Sequence, residues 1–283
     1  MGRQLFSIGG MTLALEGGES LLRALSLPGL GRFSVPSGTA EATVCLDAAV
    51  RPDTFSLLHR FDIVDGTREC RFGVDAEGTY YYSFDAGQWL CWDSRRADVV
   101  GMSAMADPSV LRFALWTAYS MLGLVRHRLP VHSSTVVCDG RAVMCLGESG
   151  TGKSTHTRLW LQHIGGTHLL NDDSPILAVQ PDGVFVHGSP WSGKTHCYRQ
   201  ERVPVAALLR LEQKPGNSIR RLGVLESFAA VQPSCPPCMA KDERLMDLLV
   251  EFVSKVIQCT PVYRMGCLPD ADAARLSHKT VMA

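Results

Sequence analysis

The run Gly147-Glu148-Ser149-Gly150-Thr151-Gly152-Lys153-Ser154 narrows what this chain can fold into more than any other stretch. It fits G-x-x-x-x-G-K-[ST], a loop that wraps phosphate oxygens. Its glycines let the backbone curl until successive N–H groups face one concavity, an anion nest. Lys153 adds a mobile positive charge where β- and γ-phosphates would lie, and Ser154 offers a hydroxyl to Mg²⁺. The helix that begins near Lys153 turns its positive dipole end to the same place. Such a loop needs a strand before it and a helix after it. Arg141 to Leu146 is a short apolar run that reads as a buried strand. Ser154 to His163 reads as a helix, with Leu159, Trp160 and Ile164 available for packing, and Gly165-Gly166 ends it. Thr155, just past the motif, joins Gly147 to Ser154 as a candidate nucleotide contact.

Two acids stand at the right distance downstream. His168-Leu169-Leu170 reads as a short strand beside the loop strand, ending in Asn171-Asp172-Asp173. Phosphoryl transfer asks for one carboxylate to serve Mg²⁺ and another to take the proton of an attacking hydroxyl. Adjacent residues on a strand point opposite ways, so the pair can divide these tasks where the strand ends. Upstream, His132 to Cys138 alternates and reads as a strand. Asp139-Gly140 is a preferred pair for a tight hairpin turn, and Arg141 to Leu146 is the return strand. The loop strand is therefore expected antiparallel to its predecessor, within a mixed sheet, and His132 is expected at the level of the glycine loop. A second glycine loop runs from Gly188 to Thr195, with Trp191 and Lys194 as candidate substrate contacts. Arg199, Arg210, Arg220 and Arg221 are further candidates for clamping phosphate.

Bulk properties exclude several classes. The chain has 283 residues, 46% of them hydrophobic and 20% charged, which are globular values. Basic and acidic residues number 28 each, so no net charge draws it to nucleic acid or an anionic membrane. The longest apolar stretch, Val110 to Val125, is interrupted by Arg112 and is short for a membrane span. It reads as a core helix with Asp107 as N-cap and Pro108 in the first turn. No signal peptide is evident at the N-terminus, and Phe6 stands where a myristoylation motif wants Ser or Thr. Ten cysteines are scattered, several within apolar runs, as in a reducing compartment, so a cytoplasmic location is expected. Cys235-Pro236-Pro237-Cys238 reads as two loop thiols, because no second pair or nearby His completes a zinc site.

Residues 1 to about 105 are rich in turn signals between short apolar runs: Ala42 to Leu46, Phe55 to Leu58, Arg71 to Val74 and Thr79 to Phe84. Asp65-Gly66, Glu77-Gly78 and Ala86-Gly87 punctuate them at hairpin spacing. This reads as a mainly antiparallel β subdomain, followed from residue 106 to 283 by an α/β domain that carries the loop. In the latter, Pro181-Asp182-Gly183 marks a hairpin and Val205 to Leu211 a strand. Leu245, Leu248, Leu249, Phe252, Val253, Val256 and Ile257 trace one face of a long helix stopped by Thr260-Pro261, and Pro269-Asp270 opens a last helix.

The combination of His132, Gly147–Ser154 and Leu169-Leu170-Asn171-Asp172-Asp173 resembles the catalytic domain of the HPr kinase/phosphorylase family. The likeness covers roughly residues 130 to 210. It implies a mixed-sheet, phosphoenolpyruvate carboxykinase-like P-loop domain and a kinase that uses ATP and Mg²⁺. By the resemblance, Asp172 is the general base helped by His132, Lys153 binds the β- and γ-phosphates, and Ser154 and Asp173 serve the metal. The chain departs from the family at Thr155, where Glu is common, and lacks its later glycine-rich signature. A divergent kinase is therefore expected, acting on a hydroxyl of a protein, a peptide or a small molecule.

A nucleotide-binding regulatory module without turnover is the alternative reading. A switch GTPase is disfavoured because N-K-x-D is missing, and an ABC-type ATPase because L-S-G-G-Q is missing. The acceptor, the preference among nucleotides and any homo-oligomer are not encoded in a motif.

Overall fold

The computed structural model describes residues 1–283 except 49, 65, 85 and 86. The turns expected at Asp65-Gly66 and Ala86-Gly87 include Asp65 and Ala86, which lie outside the described residues. The chain is α/β with two mixed sheets. Its own contacts divide it into Met1–Arg126 with Ala240–Met246, and His127–Met239 with Asp247–Ala283.

The first unit contains β1 (Gly2–Ile8), β2 (Met11–Gly17), α1 (Glu19–Leu25), β3 (Ser34–Val35), β4 (Ala42–Cys45), β5 (Ser56–Ile63), β6 (Arg68–Val74), β7 (Thr79–Phe84), β8 (Gln88–Asp93), β9 (Val99–Met102) and α2 (Pro108–Leu124). The sheet order is β3-β1-β2-β4-β9-β8-β7-β6-β5. Pairing is antiparallel except where β4 runs parallel to β2 and β9. Alternation along β7 places Tyr80 and Tyr82 in the core with Phe72 and Trp92. The helix expected after Asp107 forms as α2. The Asp107 carboxylate accepts from the N–H groups of Ser109 at 2.8 Å and Val110 at 3.4 Å, and Pro108 costs no hydrogen bond in that first turn. α2 belongs with the first unit, whereas the sequence division at 105 places it with the second.

The second unit contains β10 (Arg128–Pro130), β11 (Ser133–Cys138), β12 (Arg141–Leu146), α3 (Lys153–His163), β13 (His168–Asp173), β14 (Ile176–Gln180), β15 (Gly183–His187), β16 (Arg202–Gln213), β17 (Ser218–Arg221), α4 (Val224–Val231), most of α5 (Glu243–Cys259), β18 (Val262–Cys267) and α6 (Ala271–Val281). The order is β10-β14-β15-β16-β12-β11-β13, with β18 on β16 and β17 on β18. β12 and β18 run parallel to β16, and β11 runs antiparallel to β12, so the sheet is mixed as expected. Asp139 and Gly140 have φ of 49° and 69°, the left-handed pair a two-residue hairpin requires. Val143, Cys145, Leu209 and Met265 of this sheet form one core with Trp160 of α3 and Ala273 and Ala274 of α6.

One expectation is corrected here. β13 pairs with β11 and not with the loop strand, because β12 already has β11 on one edge and β16 on the other. The run His132 to Cys138 does form a strand, β11, over Ser133–Cys138. All six residues of β11 are buried, and the Ser134 hydroxyl lies 2.8 Å from that of Thr157 on α3. No helix among the described residues is long and apolar enough to cross a membrane.

Candidate functional site

The glycine loop joins β12 to α3, as its spelling requires. Gly152 is the N-cap of α3 at φ 103° and brings no side-chain cap, so the first N–H groups of the helix are left for a ligand. Gly147 has φ 156°, and a Cβ there would lie 2.8 Å from the Thr151 hydroxyl oxygen. That hydroxyl donates to the Glu148 carbonyl, as does the Thr151 N–H at 3.2 Å, which closes the turn.

Lys153 is 8% exposed. Its ammonium donates to the carbonyls of Gly147 at 2.9 Å and Glu148 at 3.1 Å and lies 2.9 Å from Nε2 of His132. An ammonium has three protons and no lone pair, so Nε2 accepts. The His132 proton is then on Nδ1, which faces Oδ1 of Asp173 at 3.2 Å. Burial holds the Lys153 pKa below its ordinary value, partly opposed by the charge of Asp173.

The two adjacent carboxylates take different partners. Ser154 Oγ donates to Oδ1 of Asp172 at 2.8 Å, and Asp173 faces His132. Asp172 is 7% exposed, while the Asp173 side chain is 37% exposed. The resemblance pairs these groups the other way, Asp172 with His132 and Ser154 with Asp173. Cross-strand register explains the geometry. Asp172 stands opposite Ser134, whose hydroxyl meets α3, so its side chain is on the helix side of the sheet. Asp172 thus reaches the first turn of α3 although β11 separates the two strands. At Asp173 the backbone leaves regular strand geometry, with φ 156°.

The second glycine loop supports the acids from behind. The Gly193 N–H donates to the Asp172 carbonyl at 2.6 Å, and Ser192 bridges to Asp173. Asn171, fully buried, directs its amide N–H groups at the carbonyls of Trp191 (3.2 Å), Ser189 (3.4 Å) and Cys197 (3.4 Å). Its own oxygen accepts from the Ser174 N–H at 3.0 Å. Trp191 is 5% exposed, and Lys194 is exposed.

No protein-family model matches the chain. No curated protein matches it either. One solved structure, the Hpr(Ser) kinase/phosphatase from Coxiella burnetii, is similar at 14% identity over 53% of this chain and 92% of that one, with a TM-score of 0.31.

The structure gathers His132, Gly147 to Thr155, Asp172 and Asp173 around the start of α3. Beside the loop lies a cavity of about 430 Å³ lined by Gly150, Thr155, His156, Leu159, Gln213 and Leu268 among others. Of the four candidate arginines, Arg210 reaches the loop: its guanidinium is 2.5 Å from Glu148 Oε1. Arg199 donates to the Leu169 carbonyl, and Arg220 pairs with Glu226. Gln213 donates to the Gly150 carbonyl at 3.2 Å. Sequence reasoning missed Asn171, Gln213 and the cavity. Only Asn171 had a local signal, its place immediately before the acids.

Proposed function

We propose that this chain is an ATP- and Mg²⁺-dependent kinase that transfers the terminal phosphoryl group to a hydroxyl of a protein, a peptide or a small molecule. One observation carries the reading: both acids reach the phosphate-loop machinery, Asp172 through a hydrogen bond from Ser154, and Asp173 through a 3.2 Å contact with His132, whose other ring nitrogen meets Lys153. A loop that only held a nucleotide would need neither the second acid nor the imidazole.

The residues present fit the metal. Neighbouring oxygens in an octahedral Mg²⁺ shell stand about 2.9 Å apart, and Ser154 Oγ and Asp172 Oδ1 are separated by 2.8 Å. Mg²⁺ held by this pair supplies charge neutralisation for the phosphates. Lys153 and the N–H groups at the start of α3 bind phosphate oxygens, and the cavity beside the loop, with Leu159 and Leu268 among its walls, accepts the nucleoside. The more exposed Asp173 is the group an acceptor hydroxyl can approach, so it takes the proton. His132, with Nδ1 3.2 Å from Oδ1 of Asp173, orients it. This assignment exchanges the roles that the resemblance implies for the two acids.

The test is incubation of the purified chain with γ-labelled ATP and Mg²⁺ against protein, peptide and metabolite fractions. Label transfer to an acid-stable phosphoester that depends on Asp173 is the expected result. Tight ATP binding with neither transfer nor hydrolysis would establish the regulatory module instead.

A further inference from the structure

At the opposite end of the β11–β12 hairpin, roughly 20 Å along the strands from the glycine loop, three ligand-type side chains converge. The Sγ of Cys138, a carboxylate oxygen of Asp139 and a ring nitrogen of His278 all lie within 4.8 Å of one another. Cys138 Sγ and His278 Nε2 are 3.8 Å apart. A thiolate and an imidazole bound to one tetrahedral Zn²⁺ stand about 3.6 Å apart, given bonds of about 2.3 and 2.05 Å. The hairpin explains how neighbours share a site. Adjacent side chains on a strand diverge, but Asp139 has left-handed backbone, φ 49°, and turns its carboxylate back toward the sulfur. His278 arrives from α6, its ring set edge-on to Trp160 with centroids 5.3 Å apart. The Thr167 hydroxyl also adjoins the sulfur.

We propose that Cys138, Asp139 and His278 form a Zn²⁺ site that clips α6 to the β11–β12 hairpin. One sulfur, one nitrogen and one oxygen suit zinc and disfavour Mg²⁺, which wants oxygen alone. Thiolate and carboxylate together balance the charge of the dication. Cys138 is 2% exposed while Asp139 is exposed, so the site opens to solvent on the carboxylate side and leaves a fourth position for water. The site is independent of the kinase reading, because no residue is shared with the glycine loop or the acids.

The experiment titrates the metal-free full chain with Co²⁺, following thiolate-to-cobalt absorption, and then displaces Co²⁺ with Zn²⁺. One equivalent is expected to bind, with the band lost in Cys138→Ser and in His278→Ala. Asp139→Asn should weaken binding about tenfold or more. Zn²⁺ should raise the thermal midpoint of the parent chain and leave that of His278→Ala unchanged. His278→Ala keeps the buried thiol, so it reports even where Cys138→Ser folds poorly. The absence of stoichiometric binding in the parent would overturn the proposal and leave a plain thiol–imidazole hydrogen bond. A band that persists in both variants would overturn it too, by placing the metal on other cysteines.

Discussion

Ser154 Oγ lies 2.8 Å from Asp172 Oδ1, although β11 stands between the strand that carries the aspartate and the strand that feeds the glycine loop. The contact exists because α3 crosses back over β11 after the loop, as the 2.8 Å contact between Ser134 and Thr157 shows. The pair ties the start of the helix to the end of β13 and leaves Asp173 to the imidazole.

The two acids should therefore fail differently. Asp173→Asn is expected to lower single-turnover phosphoryl transfer about 10²–10⁴-fold, the usual contribution of a general base, with ATP affinity nearly unchanged. Asp172→Asn should instead raise the Mg²⁺ concentration needed for half-maximal rate. Both are read by transfer assays over a Mg²⁺ series. Full activity in Asp173→Asn, with a dead Asp172→Asn, would return the base to Asp172.

Gly193 tests the support behind the acids. A Cβ there would sit 2.8 Å from the Asp172 carbonyl oxygen and 3.3 Å from the Asp173 Cβ, and backbone cannot yield as a side-chain tip can. Gly193→Ala is expected to cost about 1–3 kcal/mol in urea unfolding and to reduce transfer more than ATP binding. Gly216→Ala, with open space around its Cβ, is the neutral control. Equal behaviour of the two variants would show that the second loop does not position the acids.

The cavity beside the loop should discriminate nucleoside from phosphate. Leu268 is 38% exposed and lines it, so Leu268→Trp narrows it while leaving the residues of the glycine loop unchanged. Calorimetric titration should show weaker ATP binding and unchanged binding of inorganic tripolyphosphate. Parallel losses for both ligands would remove the nucleoside from this cavity.

His156 links stability to acid. Burial pushes its pKa down from 6.5 to about 4, and its Nε2 faces the Trp160 indole N–H at 3.3 Å. The unfolded chain takes up this proton as pH falls through 6.5, whereas the folded chain resists until about 4. Stability is thus lost as pH falls across that window and levels off below it, by about 3 kcal/mol in all. Burial depresses His187 to about 4 as well, so the measurement is the difference between the parent and His156→Gln. Urea midpoints of the variant should fall less steeply between those pH values, and parallel curves would contradict a neutral buried imidazole.

Much of the site was legible along the chain. The glycine loop, the strand and helix flanking it, the Asp139-Gly140 turn and the Asp107 cap follow from local conformational demands that a short window of residues carries in full. The partner of β13 was not legible, since strand pairing depends on which edges other strands have already taken. β17, β18 and α4 went unread for a similar reason. The Ser218–Arg221 and Val262–Cys267 runs mix polar and apolar residues without a clean period; Val262–Cys267 gains its place beside β16, and Ser218–Arg221 beside β18.

From residue types and spacing alone came a glycine loop at 147–154 with the spelling that wraps phosphate oxygens, and two carboxylates within reach of it, because backbone curl, helix dipole and side-chain charge are local properties. Folding in three dimensions decided that Asp172 holds Ser154 while Asp173 holds His132, and that Cys138, Asp139 and His278 meet. Those choices depend on sheet register and on where helices cross, and both are fixed by packing between residues far apart in the chain.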